Sequence, residues 1–266
     1  MSIKDQLKYT NKLQNARILI IGGSSGLGYG VAEATLEHGA LVALASSSEP
    51  RIQAATDKLK KAYPSCASNI HGLTTELSKE ETLEYELDSI LKRATEMLGG
   101  KLDHVVFTAA DPLAAMKLSD MSVEKIRNAG TLRWLAPLLL AKYLPTYINE
   151  SYRSSYTITT GSISEKPVPN WSVIASYAGG HHSMVRNLAL DLKPIRVNGV
   201  SPGVVDTELW RMGEEAKQAF LKQCEKKMLT GRVPTAEDVA ESFLAIMKDW
   251  NVDGAMIRTD GGSLFT

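Results

Sequence analysis

Short apolar runs recur along this chain, and between them the apolar positions fall three and four residues apart. Ile18–Ile21, Leu41–Ala45, Asn69–Leu73, His104–Thr108, Tyr156–Thr160, Arg196–Val200 and Ala255–Arg258 read as strands. The intervening stretches read as helices. Glu81–Met97 places Leu83, Leu87, Ile90, Leu91 and Ala94 on one face, and Tyr29–Glu37 follows the first strand directly. Seven strands separated by helices, with no composition break, repeat or Ser/Gly linker, predict a single α/β domain over residues 1–266. Its sheet is then parallel and doubly wound, seven-stranded, with helices on both faces. Residues 1–15 read as a polar N-terminal extension without an apolar signal core.

Charge and composition narrow the partners. Thirty Lys and Arg balance thirty Asp and Glu, so nothing favours nucleic acid or an anionic membrane surface. The longest apolar run, Leu135–Leu140, is far too short to cross a bilayer. Cys66 and Cys224 have neither metal-ligand spacing nor a C-x-x-C pairing, so no metal is expected and both read as incidental thiols of a reducing compartment. The expectation is a cytoplasmic protein acting on a small molecule.

The most informative local pattern lies where the first strand ends. Ile21 runs into Gly22-x-x-x-Gly26-x-Gly28, with Ser24, Ser25 and Leu27 between the glycines, and a helix follows. Glycines allow a tight turn and close approach of a pyrophosphate, and the helix offers unpaired N–H groups and its positive end to that anion. In a doubly wound sheet ligands bind beyond the carboxyl ends of the strands. Gly22–Gly28, Thr108–Asp111, Gly161–Ser164 and Pro202–Thr207 all follow strands on that edge.

With those segments in place, the chain resembles the short-chain dehydrogenase/reductase family over nearly its whole length. Ile21-Gly22-x-x-x-Gly26-x-Gly28 is similar to the family's T-G-x-x-x-G-x-G turn. Phe107-Thr108-Ala109-Ala110 stands where the family has N-N-A-G, Ser201–Thr207 resembles P-G-x-I-x-T, and Asp260-Gly261-Gly262 matches the ending of the last strand. The resemblance implies a Rossmann fold holding a dinucleotide. Ala109, Ala110 and Asp111 would border it, Gly203 and the Val205 backbone with the Thr207 hydroxyl would hold the carboxamide, and Glu76-Leu77 would stand at the adenine. It also implies a homodimer or homotetramer, assembled through the helices around Thr131–Leu144 and Ile174–Leu190. Arg211–Gly231 corresponds to a stretch that closes over substrate.

Charge then selects the cofactor. NAD sites place a carboxylate at the end of the second strand to bind the ribose 2′-OH. Here the chain reads Ser46-Ser47-Ser48 with Arg51 behind, while Glu49 starts a helix before Pro50. Hydroxyls and a guanidinium suit a 2′-phosphate, so NADP(H) is expected.

The catalytic pattern departs from the family. Ordinary members lower a Tyr pKa with a Lys four residues on, and no Tyr-x-x-x-Lys occurs in the relevant stretch. Two alignments are open. One makes Tyr177 the acid, His181 the replacement for Lys, and Ser164 the upstream serine. The other, anchored on Arg186-Asn187-Leu188-Ala189-Leu190-Asp191-Leu192, puts Ile174, Ala178 and Gly161 in those places and needs the smaller shortening before Ile195. Tyr177 still follows Ile174 by one helical turn on the same face.

Further segments, among them Ala129-Gly130-Thr131-Leu132-Arg133 and Asp191–Asn198, resemble a divergent fungal branch of the family. That branch includes NADPH-dependent imine reductases, also intramolecular Diels-Alderases, of the malbrancheamide and paraherquamide pathways, which likewise lack the Tyr–Lys pair. The resemblance carries an active-site arginine over to Arg133. It does not carry over an acidic loop residue, because Val168 stands there; Glu165 is the substitute considered. Arg133 lies early in an apolar helix, so a ligand or a carboxylate such as Asp111 must compensate its charge. Trp171 and Trp210 would flank the substrate. The function implied is NADP(H)-dependent reduction of a C=N or C=O bond in fungal specialised, alkaloid-type metabolism. A cofactor-bound non-redox cyclase or isomerase and a non-catalytic NADP-binding protein are the alternatives.

Overall fold

The computed structural model describes residues 7–266. Seven parallel strands form one sheet in the order β3-β2-β1-β4-β5-β6-β7. They are β1 (Arg17–Ile21), β2 (Leu41–Ser46), β3 (Ile70–Thr74), β4 (His104–Phe107), β5 (Ser155–Thr159), β6 (Arg196–Pro202) and β7 (Met256–Thr259). Each expected strand is present within a residue of its expected ends, except that β6 runs two residues further than expected, to Pro202. Asn69 is drawn into a short 3-10 turn, Pro64–Asn69, before β3 begins.

Among the described residues eight α-helices accompany them: α1 (Gly26–Glu37), α2 (Glu49–Ala62), α3 (Glu80–Met97), α4 (Val123–Gly130), α5 (Ala136–Tyr147), α6 (Ser172–Asp191), α7 (Glu214–Glu225) and α8 (Ala236–Lys248). The period-two geometry of a strand sends alternate side chains to opposite faces. Ile18 and Ile20 accordingly join Val42, Leu44 and Val106 against α1, α2 and α8. Leu19 and Ile21 join Ala43, Ala45, Val105 and Phe107 against α3, α5 and α6. Both faces are apolar because both are covered, so the strands read as continuous rather than alternating runs. The reading of residues 1–15 as a merely polar extension is corrected in part. Leu13 is fully buried in the α1/α8 core, and residues 1–6 lie outside the described residues.

The chain order reverses between β1 and β4, neighbours in the sheet. The Gly22–Gly28 turn and the segment after Phe107 therefore lie side by side at the carboxyl edge. No helix among the described residues is long and apolar enough to cross a membrane.

Candidate active site

A cleft of about 1080 Å³ runs along the carboxyl edge, across the point where the strand order reverses. Its floor is the glycine turn. Gly22 adopts φ +95°, and a Cβ on Gly28 would stand 2.4 Å from the Gly22 carbonyl oxygen and 2.5 Å from Thr108 Oγ1. Close packing against Thr108 thus requires glycine at 28. Ser25 precedes α1 without a side-chain cap bond, and no acid occupies the first turn of that helix. The positive end of α1 opens onto the cleft beside Ser24, Ser25 and Leu27, which suits an anion.

The end of β2 supplies the next wall. Ser46 is buried and accepts from Ser24 Oγ at 3.0 Å, while Arg51 reaches Ser47 Oγ at 3.4 Å. Glu49 is exposed at the start of α2 and does not line the cleft. The inclusion of Ser48 needs correction: its N–H turns onto Ser46 Oγ (3.4 Å) as the chain enters α2, and the residue leaves the lining. Beyond β3, Glu76 accepts from the N–H and Oγ of Ser78 at 2.9 and 2.7 Å, with Leu77 buried beside it. Ala109, Ala110 and Asp111 follow β4, and Gly203, Val205 and Thr207 follow β6; all six line the cleft. Hydroxyls, glycine backbone and one guanidinium, with no carboxylate at the β2 end, fit a phosphorylated dinucleotide by the chemistry of the donors.

Arg133 sits on a feature that periodicity does not reveal. Between α4 and α5 the chain makes a π-helical turn, Thr131–Leu135. Such a turn inserts a residue and re-aims side chains, often at functional sites. Pro137 has no N–H, so the carbonyl of Arg133, four residues earlier, loses its α-helical donor. His181 Nε2 donates to that carbonyl at 2.7 Å, and Tyr156 Oη donates to the Pro137 carbonyl at 2.8 Å. With its backbone braced, the Arg133 side chain turns back onto Asp111. Nε donates to Oδ1 at 2.6 Å and Nη2 donates to the Asp111 carbonyl. Both residues line the cleft and are partly exposed. Nη1 has no partner among the described residues.

His181 is therefore not a cationic replacement for a lysine. It is buried, its Nδ1 has no partner among the described residues, and burial lowers its pKa to about 4 despite the hydrogen bond to the Arg133 carbonyl. A neutral Nε2–H tautomer matches that bond. Tyr177 lines the cleft, but its hydroxyl donates to the Ile126 carbonyl at 2.8 Å and burial raises its pKa. The ring fits there because position 130 is glycine; a Cβ on Gly130 would stand 2.5 Å from Tyr177 Oη. Ser164 is taken by His182 Nε2 at 2.9 Å and does not line the cleft. Gly161, Ile174 and Ala178 do line it, and Thr160 Oγ1 donates to the Ala178 carbonyl at 3.0 Å.

Glu165 is also displaced from the role considered for it. It faces Arg258 at 3.6 Å, outside the cleft lining, because that cation offers it a partner across the chain. Trp171 and Trp210 both line the outer cleft. Trp210 Nε1 donates to the Val205 carbonyl at 2.8 Å, and its ring lies 4.7 Å from Phe220. Lys217 pairs with Asp206 at 2.6 Å and ties α7 to the segment after β6; hydrogen bonding to that carboxylate raises the lysine pKa. Sequence reading missed the π-helical turn and the His181 brace. Pro137, which frees a carbonyl inside an apolar helix, was the available signal.

A family model for an SDR-like Rossmann domain matches residues 9–266. The chain is 42% identical over 262 residues to the short-chain dehydrogenase/reductase fsr5 of Gibberella fujikuroi, covering 97% of this chain and 98% of that protein. It is 41% identical over 256 residues to the short-chain dehydrogenase/reductase malC of Malbranchea aurantiaca, covering 95% and 96%. The solved structure of the MalC reductase/Diels-Alderase from Malbranchea aurantiaca is similar with a TM-score of 0.91 at 38% identity, covering 98% of this chain and 100% of that one.

Proposed function

The chain belongs to the short-chain dehydrogenase/reductase family of oxidoreductases, and from that premise we propose that it binds NADP(H) along the carboxyl edge and reduces a C=N or C=O bond of a small molecule of fungal specialised metabolism. The observation that carries this reading is the glycine turn with Ser46, Ser47 and Arg51 in one cleft with the Asp111–Arg133 pair. When bound, the cofactor supplies a hydride to an electron-poor carbon.

The chain's own residues do the rest. The N–H groups at the start of α1 hold the pyrophosphate, with Ser24 and Ser25 beside them. Ser46, Ser47 and Arg51 hold the 2′-phosphate, Glu76 and Leu77 border the adenine, and Gly203, Val205 and Thr207 hold the carboxamide side. Asp111 fixes the guanidinium of Arg133 at the reacting end, and His181 positions it by capping its carbonyl. Ile174 and Ala178 occupy the places of the usual Tyr and Lys, so substrate positioning and electrostatics replace the phenol–ammonium couple. Tyr177 shapes the wall. The protein acts in the cytoplasm as a homodimer or homotetramer, which light scattering on the purified chain checks.

A second reading, a non-redox cyclase or isomerase, draws support from the missing couple and from the similar reductase/Diels-Alderase. Parallel reactions with NADPH and NADP⁺ separate the two. Reduction gives product in step with loss of NADPH absorbance and none with NADP⁺. Cyclisation gives product with either form and leaves the cofactor unchanged. Cofactor uptake with no conversion in either reaction leaves a binding protein.

A further inference from the structure

Opposite the cleft, at the amino edge of the sheet, charged and aromatic side chains gather into a cluster that the proposed reaction does not use. Trp250, just past the end of α8, carries two cations on its ring. Lys12 Nζ lies 4.5 Å and the Arg153 guanidinium carbon 4.7 Å from the ring centroid. Tyr152 meets the same indole edge-on with centroids 6.0 Å apart, and its hydroxyl accepts from Arg153 Nε at 3.4 Å. Lys248, the last residue of α8, joins them with Nζ 3.3 Å from His38 Nε2. An ammonium only donates, so that nitrogen accepts, and His38 Nδ1 donates to the Ala34 carbonyl at 2.9 Å. Lys12 Nζ closes the cluster by donating to the Lys248 carbonyl at 2.7 Å.

The acids nearby are committed elsewhere. Arg196 is 2% exposed and donates to the carbonyls of Tyr152, Arg153 and Asp249, tying both segments of the cluster from beneath. Asp253 and Asp249 are the carboxylates that favour its buried charge. Asp253 Oδ1 also takes the Val197 N–H at 2.8 Å, and Asp249 Oδ1 takes that of Asn251 at 3.0 Å. Glu150, exposed before β5, makes no ion pair among the described residues, and neither do Lys12, Arg153 and Lys248. Three cations are thus held by π faces, a carbonyl and an imidazole, contacts that leave their charge uncompensated. An anion among them would pair with each and relieve their mutual repulsion. The Trp250 and Arg196 braces already order these side chains, which lowers the entropy cost of that pairing.

We propose that this amino-edge cluster is a docking surface for an acidic segment of another protein, whose Asp or Glu carboxylates pair with Lys12, Arg153 and Lys248. The chain as a whole carries thirty basic and thirty acidic residues, so the positive charge is one local cluster and not the extended stripe a nucleic acid needs. Tyr152, 53% exposed, offers a ring to an apolar side chain of the same segment. Docking here leaves the cleft at the opposite edge open, so a partner can hold the protein without blocking its site.

The test uses the full chain and a fluorescein-labelled peptide of alternating Asp and Glu, with an Asn/Gln peptide of equal length as its neutral counterpart. Binding is read by fluorescence anisotropy. The acidic peptide is expected to bind saturably and at least about tenfold more tightly than the neutral one, a margin that about 1 M salt removes. Lys12→Gln with Arg153→Gln is expected to weaken it about tenfold, with circular dichroism checking the fold. Lys12→Glu with Arg153→Glu is expected to move the preference to an oligolysine peptide, a switch that misfolding does not produce. No saturable binding by the native chain, equal binding of the acidic and neutral peptides, or binding that survives both double changes overturns the proposal. Tighter uptake of a short DNA duplex through the same two side chains overturns the choice of a carboxylate partner.

Discussion

At the amino edge of the sheet, Arg196 is 2% exposed and donates to the carbonyls of Tyr152, Arg153, Ile246, Met247, Asp249 and Val252. At the carboxyl edge, Arg133 is held by one residue, Asp111, and its Nη1 has no partner among the described residues. The histidines divide the same way. His104, at the start of β4, is buried against Ser155 Oγ at 2.8 Å, and burial with nearby Arg196 lowers its pKa to about 3. His181, at the cleft, leaves its Nδ1 without a partner among the described residues. Arg196 and His104 at the amino edge are held within the fold and serve stability. Their counterparts at the carboxyl edge are oriented but not exhausted, which leaves capacity for a ligand.

The comparison breaks first at Arg196. Arg196→Leu should cost about 4–5 kcal/mol in denaturant unfolding, because the carbonyls at the end of α8 lose their donor. A loss under about 1 kcal/mol would mean that edge is not structurally committed. Acid is the next lever. Both buried imidazoles have folded pKa values below the ordinary 6.5, so the unfolded chain binds more protons as pH falls. Their stabilisation is complete above about pH 6.5 and is lost on acidification towards about 4 for His181 and about 3 for His104. On the order of 3 kcal/mol should disappear for each by pH 4, and His181→Gln should flatten its share of the slope in pH-dependent melting.

At the other edge the effects should fall on binding and rate. Gly28→Ala forces the glycine turn away from Thr108 and should weaken NADPH binding about 100-fold, read by calorimetry. Arg133→Ala should lower kcat/KM about 50-fold while unfolding free energy changes by less than about 1 kcal/mol. A stability loss matching that of Arg196→Leu would erase the distinction between the two arginines. Smallest of all, Tyr177→Phe removes the bond to the Ile126 carbonyl and should cost about 1 kcal/mol of stability, with activity kept within about threefold. Activity lost entirely in that variant would restore Tyr177 as the proton donor.

The fold was legible because the inner strands β2, β1, β4, β5 and β6 are buried on both faces and write that burial into contiguous runs. The glycine turn was legible for a related reason: the positive φ of Gly22 and the close approach of Gly28 to the Gly22 carbonyl are local to one short segment. Pairings between distant segments leave no such trace. Nothing in the sequence around Glu165 announces Arg258, and nothing around Tyr177 announces the Ile126 carbonyl. Leu13 looked like part of a polar tail because one apolar residue carries no period, yet it fills the core beside α1. The π-helical turn escaped because it shifts the helical period by one residue over a single turn. Pro137 alone hinted at it.

The most direct measurement is calorimetric titration of the purified full chain with NADPH and with NADH. The account predicts saturable uptake of NADPH, binding of NADH weaker by at least about tenfold, and a gap that Arg51→Ala narrows. Uptake of neither nucleotide, or a preference for NADH that Arg51→Ala leaves untouched, would contradict it.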